Sequence, residues 1–168
     1  MSTHVGVNTY THSVTHVTEE MIRSLKQIIR LSGLSIEGLL NSWQDVETGI
    51  YTWLSSKHLK RVTLEIFYPG ISTLAVRWDF DIAYSYGSDD DGSLWADPDA
   101  IRYAIQKCGA IPANCQYEFV IRAPGGAAVP GWGPGSYRST SGFSQHSIGN
   151  TIGANSLGSS TSYWRKAS

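Results

Sequence analysis

The chain has 168 residues, of which 41% are apolar and 16% charged, with a formal net charge of −1; that length suits one domain around one ordinary core. Near-neutrality excludes a protein that grips nucleic acid or an anionic membrane by bulk charge. No apolar run approaches the ~20 residues of a membrane span, and the opening MSTHVGVNTYTHSV lacks the basic and apolar regions of a signal peptide, so a cytoplasmic protein is expected.

Residues 1–12 carry little apolar weight and read as a flexible N-terminal arm. From Ser13 the pattern changes: Val14, Val17, Met21, Ile22, Leu25, Ile28 and Ile29 recur at three- and four-residue steps, the stripe of an amphipathic helix. LSGLS at 31–35 supplies a glycine stop and a serine cap. A second stripe follows through Ile36, Leu39, Leu40, Trp43, Val46, Ile50, Trp53 and Leu54. Two helices with such wide apolar faces must pack on something larger than each other.

That larger element begins at Arg61. RVTLEIFY alternates Val62, Leu64, Ile66 and Tyr68 against Thr63, Glu65 and Phe67, which is strand periodicity. PGIS at 69–72 reads as a turn, and LAVRWDFDIAY then alternates Leu74, Val76, Trp78, Phe80, Ile82 and Tyr84 against more polar neighbours. The two runs predict a long antiparallel hairpin with one apolar face. Arg77, Asp79 and Asp81 share the less apolar face, where ion pairing across the hairpin is expected. GSDDDGSLW is a loop. DPDAIRYAIQKCG predicts a third helix, with Asp97 as cap, Pro98 in the first turn and Gly109 as stop. CQYEFVIR is a further strand and closes a core spanning residues 13–122.

After Arg122 the composition shifts. Residues 123–168 contain no Asp or Glu, nine glycines and only Arg138, Arg165 and Lys166 as charges. They also carry Trp132, Tyr137, Phe143, Tyr163 and Trp164, and aromatic anchors of that size are rare in plain Gly/Ser linkers. An ordered wrap of short strands is expected, hinged on Gly125, Gly126, Gly131, Gly133 and Gly135 and latched first by Trp132.

Candidate chemistry is thin. The glycines of 123–135 lack the order and the lysine of a phosphate loop, and Pro124, Pro130 and Pro134 remove backbone N–H donors. Gly87–Ser88 with Asp97 and Asp99 loosely imitate a nucleotidyltransferase site, but the carboxylates open a helix instead of sitting on the next strand. Asp89, Asp90 and Asp91 could take an adventitious Ca²⁺ or Mg²⁺. His12 and His16 are four apart without a third ligand, and Cys108 and Cys115 read as reduced, half-buried thiols. No catalytic set, cofactor or metal is expected. The rival reading is a small metal-dependent enzyme or nucleotide-binding protein that uses the acidic residues between Asp79 and Asp91, with Asp81 among them.

The order helix, helix, long hairpin, helix, strand and wrapping tail resembles the HORMA domain. So do the segments THSVTHVTEEMIRSLKQIIRLSGL, TWLSSKHLKRVTLEIFYPG, RWDFDIAYSYGSDDDGSLW and YWRKA, which are similar to the short bacterial HORMA proteins of CBASS anti-phage operons. The resemblance implies a single α+β domain, three helices backing an antiparallel sheet, and a C-terminal safety belt over 123–168. It implies a non-catalytic signalling adaptor whose belt wraps a closure-motif peptide, added as a strand to a sheet edge. That edge is expected on the strand near Thr73–Tyr84, with Thr73, Leu74, Val76, Trp78 and Phe80, and Trp132, Tyr163 and Trp164 of the belt, as the peptide-binding residues. The implied partners are a cGAS/DncV-like nucleotidyltransferase, bound and activated by the closed form, and an AAA+ remodelling ATPase that pulls on residues 1–11 to reopen it.

Overall fold

The computed structural model describes residues 10–39, 42–84, 93–133 and 135–166. Helix α1 (Tyr10–Leu31) buries the expected stripe of Val14, Val17, Met21, Leu25, Ile28 and Ile29. Each such side chain contributes roughly 1.5–3 kcal/mol when fully removed from water. The helix starts inside the expected arm, because the Tyr10 hydroxyl donates to the Leu54 carbonyl at 2.6 Å and Lys57 lies 4.8 Å over its ring. Its end is the predicted glycine stop: Gly33 adopts φ +85°, and the Leu34 amide donates to the Ile29 carbonyl at 3.0 Å.

The second apolar stripe is not one helix. Ile36–Gly38 forms a 3₁₀ turn capped by Ser35, and α2 (Trp43–Ser55) starts afresh after Ser42, whose hydroxyl accepts from the Asp45 amide at 3.1 Å. Each serine offers the backbone a local alternative to continued helix. The stripe crosses the break because Ile36 and Leu39 also lean on the core.

Strands β1 (Arg61–Phe67) and β2 (Leu74–Tyr84) form the predicted hairpin, with one register irregularity at Ile66/Phe67. A two-residue strand β3 (Trp95–Ala96) lies in the expected loop region. Helix α3 (Pro98–Cys108) is capped by Asp97, whose carboxylate accepts from the Ala100 amide at 3.1 Å, and ends at Gly109. Strand β4 is Gln116–Arg122. The tail then folds back as a second long hairpin, β5 (Phe143–Ala154) and β6 (Leu157–Lys166). Its strands are far longer than a glycine- and serine-rich sequence suggests. Pairing through the backbone supplies their order, and the Thr151 and Thr161 hydroxyls meet across it at 2.8 Å. Gly149, at φ +85°, sits at one of two register irregularities in β5.

The sheet runs β3-β5-β6-β2-β1-β4, antiparallel throughout. Helices cover one face, where Leu64, Ile66, Trp78 and Phe80 meet Leu25, Ile28, Leu54 and Ile101. The other face is not the solvated surface that alternation suggested. Thr63, Glu65 and Asp79 are fully buried on it. The residues that cover them come from the tail.

Candidate functional site

Across that second face one row of side chains runs through four strands. Register places Trp164 of β6 beside Arg77 of β2, Arg77 beside Glu65 of β1, and Glu65 beside Glu118 of β4. Tyr137 and Arg138 of the tail lie on this row. The Arg77 guanidinium is 4.1 Å from the Tyr137 ring centroid and 5.5 Å from that of Trp164. Arg138 gives Glu65 its backbone N–H at 2.8 Å and its Nη1 at 2.7 Å, reaches Glu118 at 2.5 Å, and bonds the Ser72 carbonyl through Nε at 3.0 Å. Its guanidinium also stacks on Phe67 at 3.6 Å. A buried carboxylate without a partner costs several kcal/mol, so Glu65 requires Arg138.

The tail is fixed on the helix side as well. Trp53 of α2 donates its indole N–H to the Ala127 carbonyl at 2.8 Å, and Trp132 donates to the Asp45 carbonyl at 2.9 Å. The two indoles meet edge-on at 6.3 Å. Gly49 makes room for Trp132: a Cβ there would lie 2.5 Å from Nε1. Residues 123–132 therefore run along α2 in the helix layer. By Gly135 the chain has reached Val120, which shares the opposite sheet face with Thr63. The chain therefore changes sides of the sheet beside β4, the terminal strand, whose outer edge pairs with no other strand among the described residues. The result is a strap held to α2 on one side and to Glu65 on the other, with a sheet edge beneath it. Such an edge presents alternate N–H and C=O groups to an incoming strand.

Residues 2–167 match the family model described as Bacterial HORMA domain 2. The chain belongs to the bacterial HORMA family. In this HORMA domain the strap over β4 is the first part of the safety belt, and the β5–β6 hairpin is the rest. No curated protein sequence matches it. Among solved structures, a chain of a mitotic checkpoint complex superposes with TM-score 0.72 at 12% identity, over 93% of this chain and 99% of that one. C. elegans HTP-1 bound to HTP-3 motif-1 gives TM-score 0.66 at 12% identity, covering 94% and 91%. An E. coli MS115-1 CdnC:HORMA-deltaN complex gives TM-score 0.60 at 14% identity, covering 93% and 90%. These likenesses carry the HORMA fold, three helices on an antiparallel sheet.

The expected peptide edge needs correction. Across Val76–Asp81, β2 is paired with β1 on one side and β6 on the other, so Val76, Trp78 and Phe80 stand on a stretch of strand with no vacant edge. The belt's own hairpin occupies the place expected for the peptide. Thr73 and Leu74 precede that pairing; Thr73 accepts a backbone bond from Tyr68 in the turn at 2.9 Å, and Leu74 opposes Phe67. The proposed belt aromatics are not gathered at one site. Tyr163 is buried toward the helices against Trp78, Trp164 points the opposite way and donates to Asp79 at 3.0 Å, and Trp132 is on α2. Of the five expected hinge glycines, Gly125 and Gly131 hold left-handed φ of 76° and 88°. Gly126 lies against the Trp53 indole, Gly135 against Val120, and a Cβ at Gly133 would meet nothing within 4 Å.

The acidic reading divides in two. Asp79 accepts from Thr63, Arg77 and Trp164, and Asp81 is paired with Arg61 at 2.6 Å, so both carboxylates are engaged by protein. Arg77 pairs within its own strand, two residues from Asp79, while Arg61–Asp81 is the pair that spans the hairpin. Asp89, Asp90 and Asp91, like Gly87–Ser88 and residues 1–9 of the proposed handle, lie outside the described residues. His16 makes a contact with the Trp95 carbonyl at 2.9 Å, and no cluster of three metal-ligating side chains occurs among the described residues. No helix among them is long and apolar enough to cross a membrane. Cys108 and Cys115 are buried free thiols; burial raises both pKa values, against an opposing pull from Arg165.

The β4 edge and Arg138 were missed in the sequence. Glu65 looked solvent-facing because its neighbours alternate polar and apolar. The available signal was compositional: an acid-free tail with one central arginine, opposite strands whose polar face carries Glu65 and Glu118.

Proposed function

We propose that this HORMA domain is a non-catalytic adaptor that captures an extended closure-motif peptide on the outer edge of β4, beneath residues 125–138. The observation that carries this reading is the strap itself, anchored to α2 by Trp132 and to β1 by Arg138 as it rounds that edge. A peptide strand there would gain ladder hydrogen bonds from β4 and be enclosed by the belt. The sheet core β2–β1–β4 has two edges, and a hairpin docked on β2 leaves β4 to the peptide. Release and redocking of an acid-free, glycine-rich belt would switch the domain between states. The peptide-bound form would bind and activate a cGAS/DncV-like nucleotidyltransferase, and an AAA+ ATPase would reopen it from the N-terminus. Family membership, together with HTP-1 bound to a motif of HTP-3 and CdnC in complex with a HORMA protein, supports peptide capture and nucleotidyltransferase binding.

The test is selection of random 12-residue peptides on the full chain and on a Gly135→Trp variant, whose added indole would fill the space over Val120. Peptides retained by the parent and lost by the variant, and able to raise second-messenger synthesis by a co-purified nucleotidyltransferase, are the expected result. Equal retention by both proteins would move the peptide away from β4, and peptide-independent synthesis would sink the adaptor role.

A further inference from the structure

A cavity of about 680 Å³ lies at the seam between belt and core. Its lining joins Tyr68 from the β1–β2 turn and Lys107 from α3 to Ser139 and Ser141 from the crossing segment and Arg165 and Lys166 from the end of β6. No acidic residue lines it. None of its three cations is ion-paired among the described residues. The C-terminal end of α3 offsets about half a charge at most, against three full ones. Arg165 is also fixed in place, since its Nη1 and Nη2 donate to the Ala75 and Ala110 carbonyls at 2.9 and 3.0 Å. Carbonyl partners position the guanidinium without neutralising it. Arg165 is thus fixed with its charge unmatched, and Lys107, 4.9 Å over the Tyr103 ring, and Lys166 add exposed positive charge at the rim.

We propose that this cavity binds a small phosphate monoester of about nucleotide size. A single carboxylate would leave most of the volume empty and two of the positive charges unmatched. A phosphate dianion answers the lysines and the arginine, takes the serine hydroxyls as further donors, and leaves room for an attached ring beside Tyr68. Volumes of roughly 300–1,000 Å³ are typical of small-molecule sites. Because the walls come from both sides of the β2–β6 seam, the ligand binds only while the hairpin is docked on β2, and binding favours that arrangement. The proposal does not rest on the peptide slot.

The experiment titrates the full chain with AMP, inorganic phosphate and adenosine by calorimetry at fixed ionic strength, beside a Lys107→Gln/Lys166→Gln variant. Both lysines are exposed, so the variant should fold. AMP is expected to bind, phosphate more weakly and adenosine not at all, with AMP affinity falling at least about tenfold in the variant. AMP should also slow proteolysis within residues 136–142. Equal binding of AMP and adenosine, or no binding of AMP, would overturn the proposal. So would undiminished AMP affinity in the variant, or a glutamate-rich peptide that binds where AMP does not.

Discussion

Arg138, from the belt, supplies both a guanidinium N–H and its backbone N–H to Glu65, a carboxylate with no solvent exposure in the middle of β1. The pair joins the tail to the centre of the sheet. It gives the sheet a reason to hold the belt, because Glu65 loses both of these donors when the belt departs.

Replacing Arg138 with Gln should therefore destabilise the domain by about 3 kcal/mol. Adding Glu65→Gln should recover part of that loss, since a neutral amide can remain buried at lower cost. Urea denaturation of the two singles and the double, read as a cycle, measures the coupling. Additive effects would show that Arg138 acts on Glu118 and Ser72 alone.

The helices, the β1–β2 hairpin and the caps of α3 were legible because each is a local code: a 3.6 or 2 residue period, or an Asp97-Pro98 start and a Gly109 stop. The strap's course was not. Whether Trp132 lies on α2 or over β2 depends on contacts 87 residues apart in the chain, such as its bond to Asp45. The same reason hid the occupied edge of β2: Arg77 opposes Trp164, and no local pattern in either strand announces the other. The β5–β6 hairpin was legible only as order, since Ser, Thr and Gly pair through backbone and hydroxyls without an apolar alternation to mark the strands.

The two thiols should react slowly with iodoacetamide at pH 8. Burial holds both in the protonated form and shields them from reagent, and thiolate is the reacting species. Mass spectrometry of native protein should show modification at least about tenfold slower than in urea. Comparable rates would mean that the region around Cys108 and Cys115 opens readily.

Stability should fall at alkaline pH. Burial raises the pKa of Tyr117 and Tyr163, as it does those of the two cysteines, so the folded chain keeps protons that the unfolded chain releases. The unfolded state then binds fewer protons, and unfolding is favoured as pH rises. The loss should begin near pH 9, where unfolded thiols ionise, and steepen above about pH 10 with the phenols. A Cys108→Ser/Cys115→Ser variant should keep the second phase and lose the first in thermal melts across this range. A single unchanged phase in that variant would assign the whole effect to tyrosine.

Gly49→Ala sets helix propensity against belt docking. In a helix interior the exchange gains about 1 kcal/mol, and Gly49 lies within α2. Here the new methyl would sit 2.5 Å from Trp132 Nε1 and 3.0 Å from its Cδ1, so the indole must move and release the Asp45 carbonyl. The obstacle is a side chain on a glycine-rich strap instead of packed backbone, and the cheapest relief is for the strap to lift from α2. Helix stabilisation then survives in the core while the belt loses a latch. The melting temperature should change little, yet hydrogen exchange across residues 125–133 should speed up severalfold. Faster exchange confined to that stretch identifies Trp132 as the anchor of the strap. A higher melting temperature with unchanged exchange would show that the strap accommodates the methyl and that Trp132 is not its critical latch.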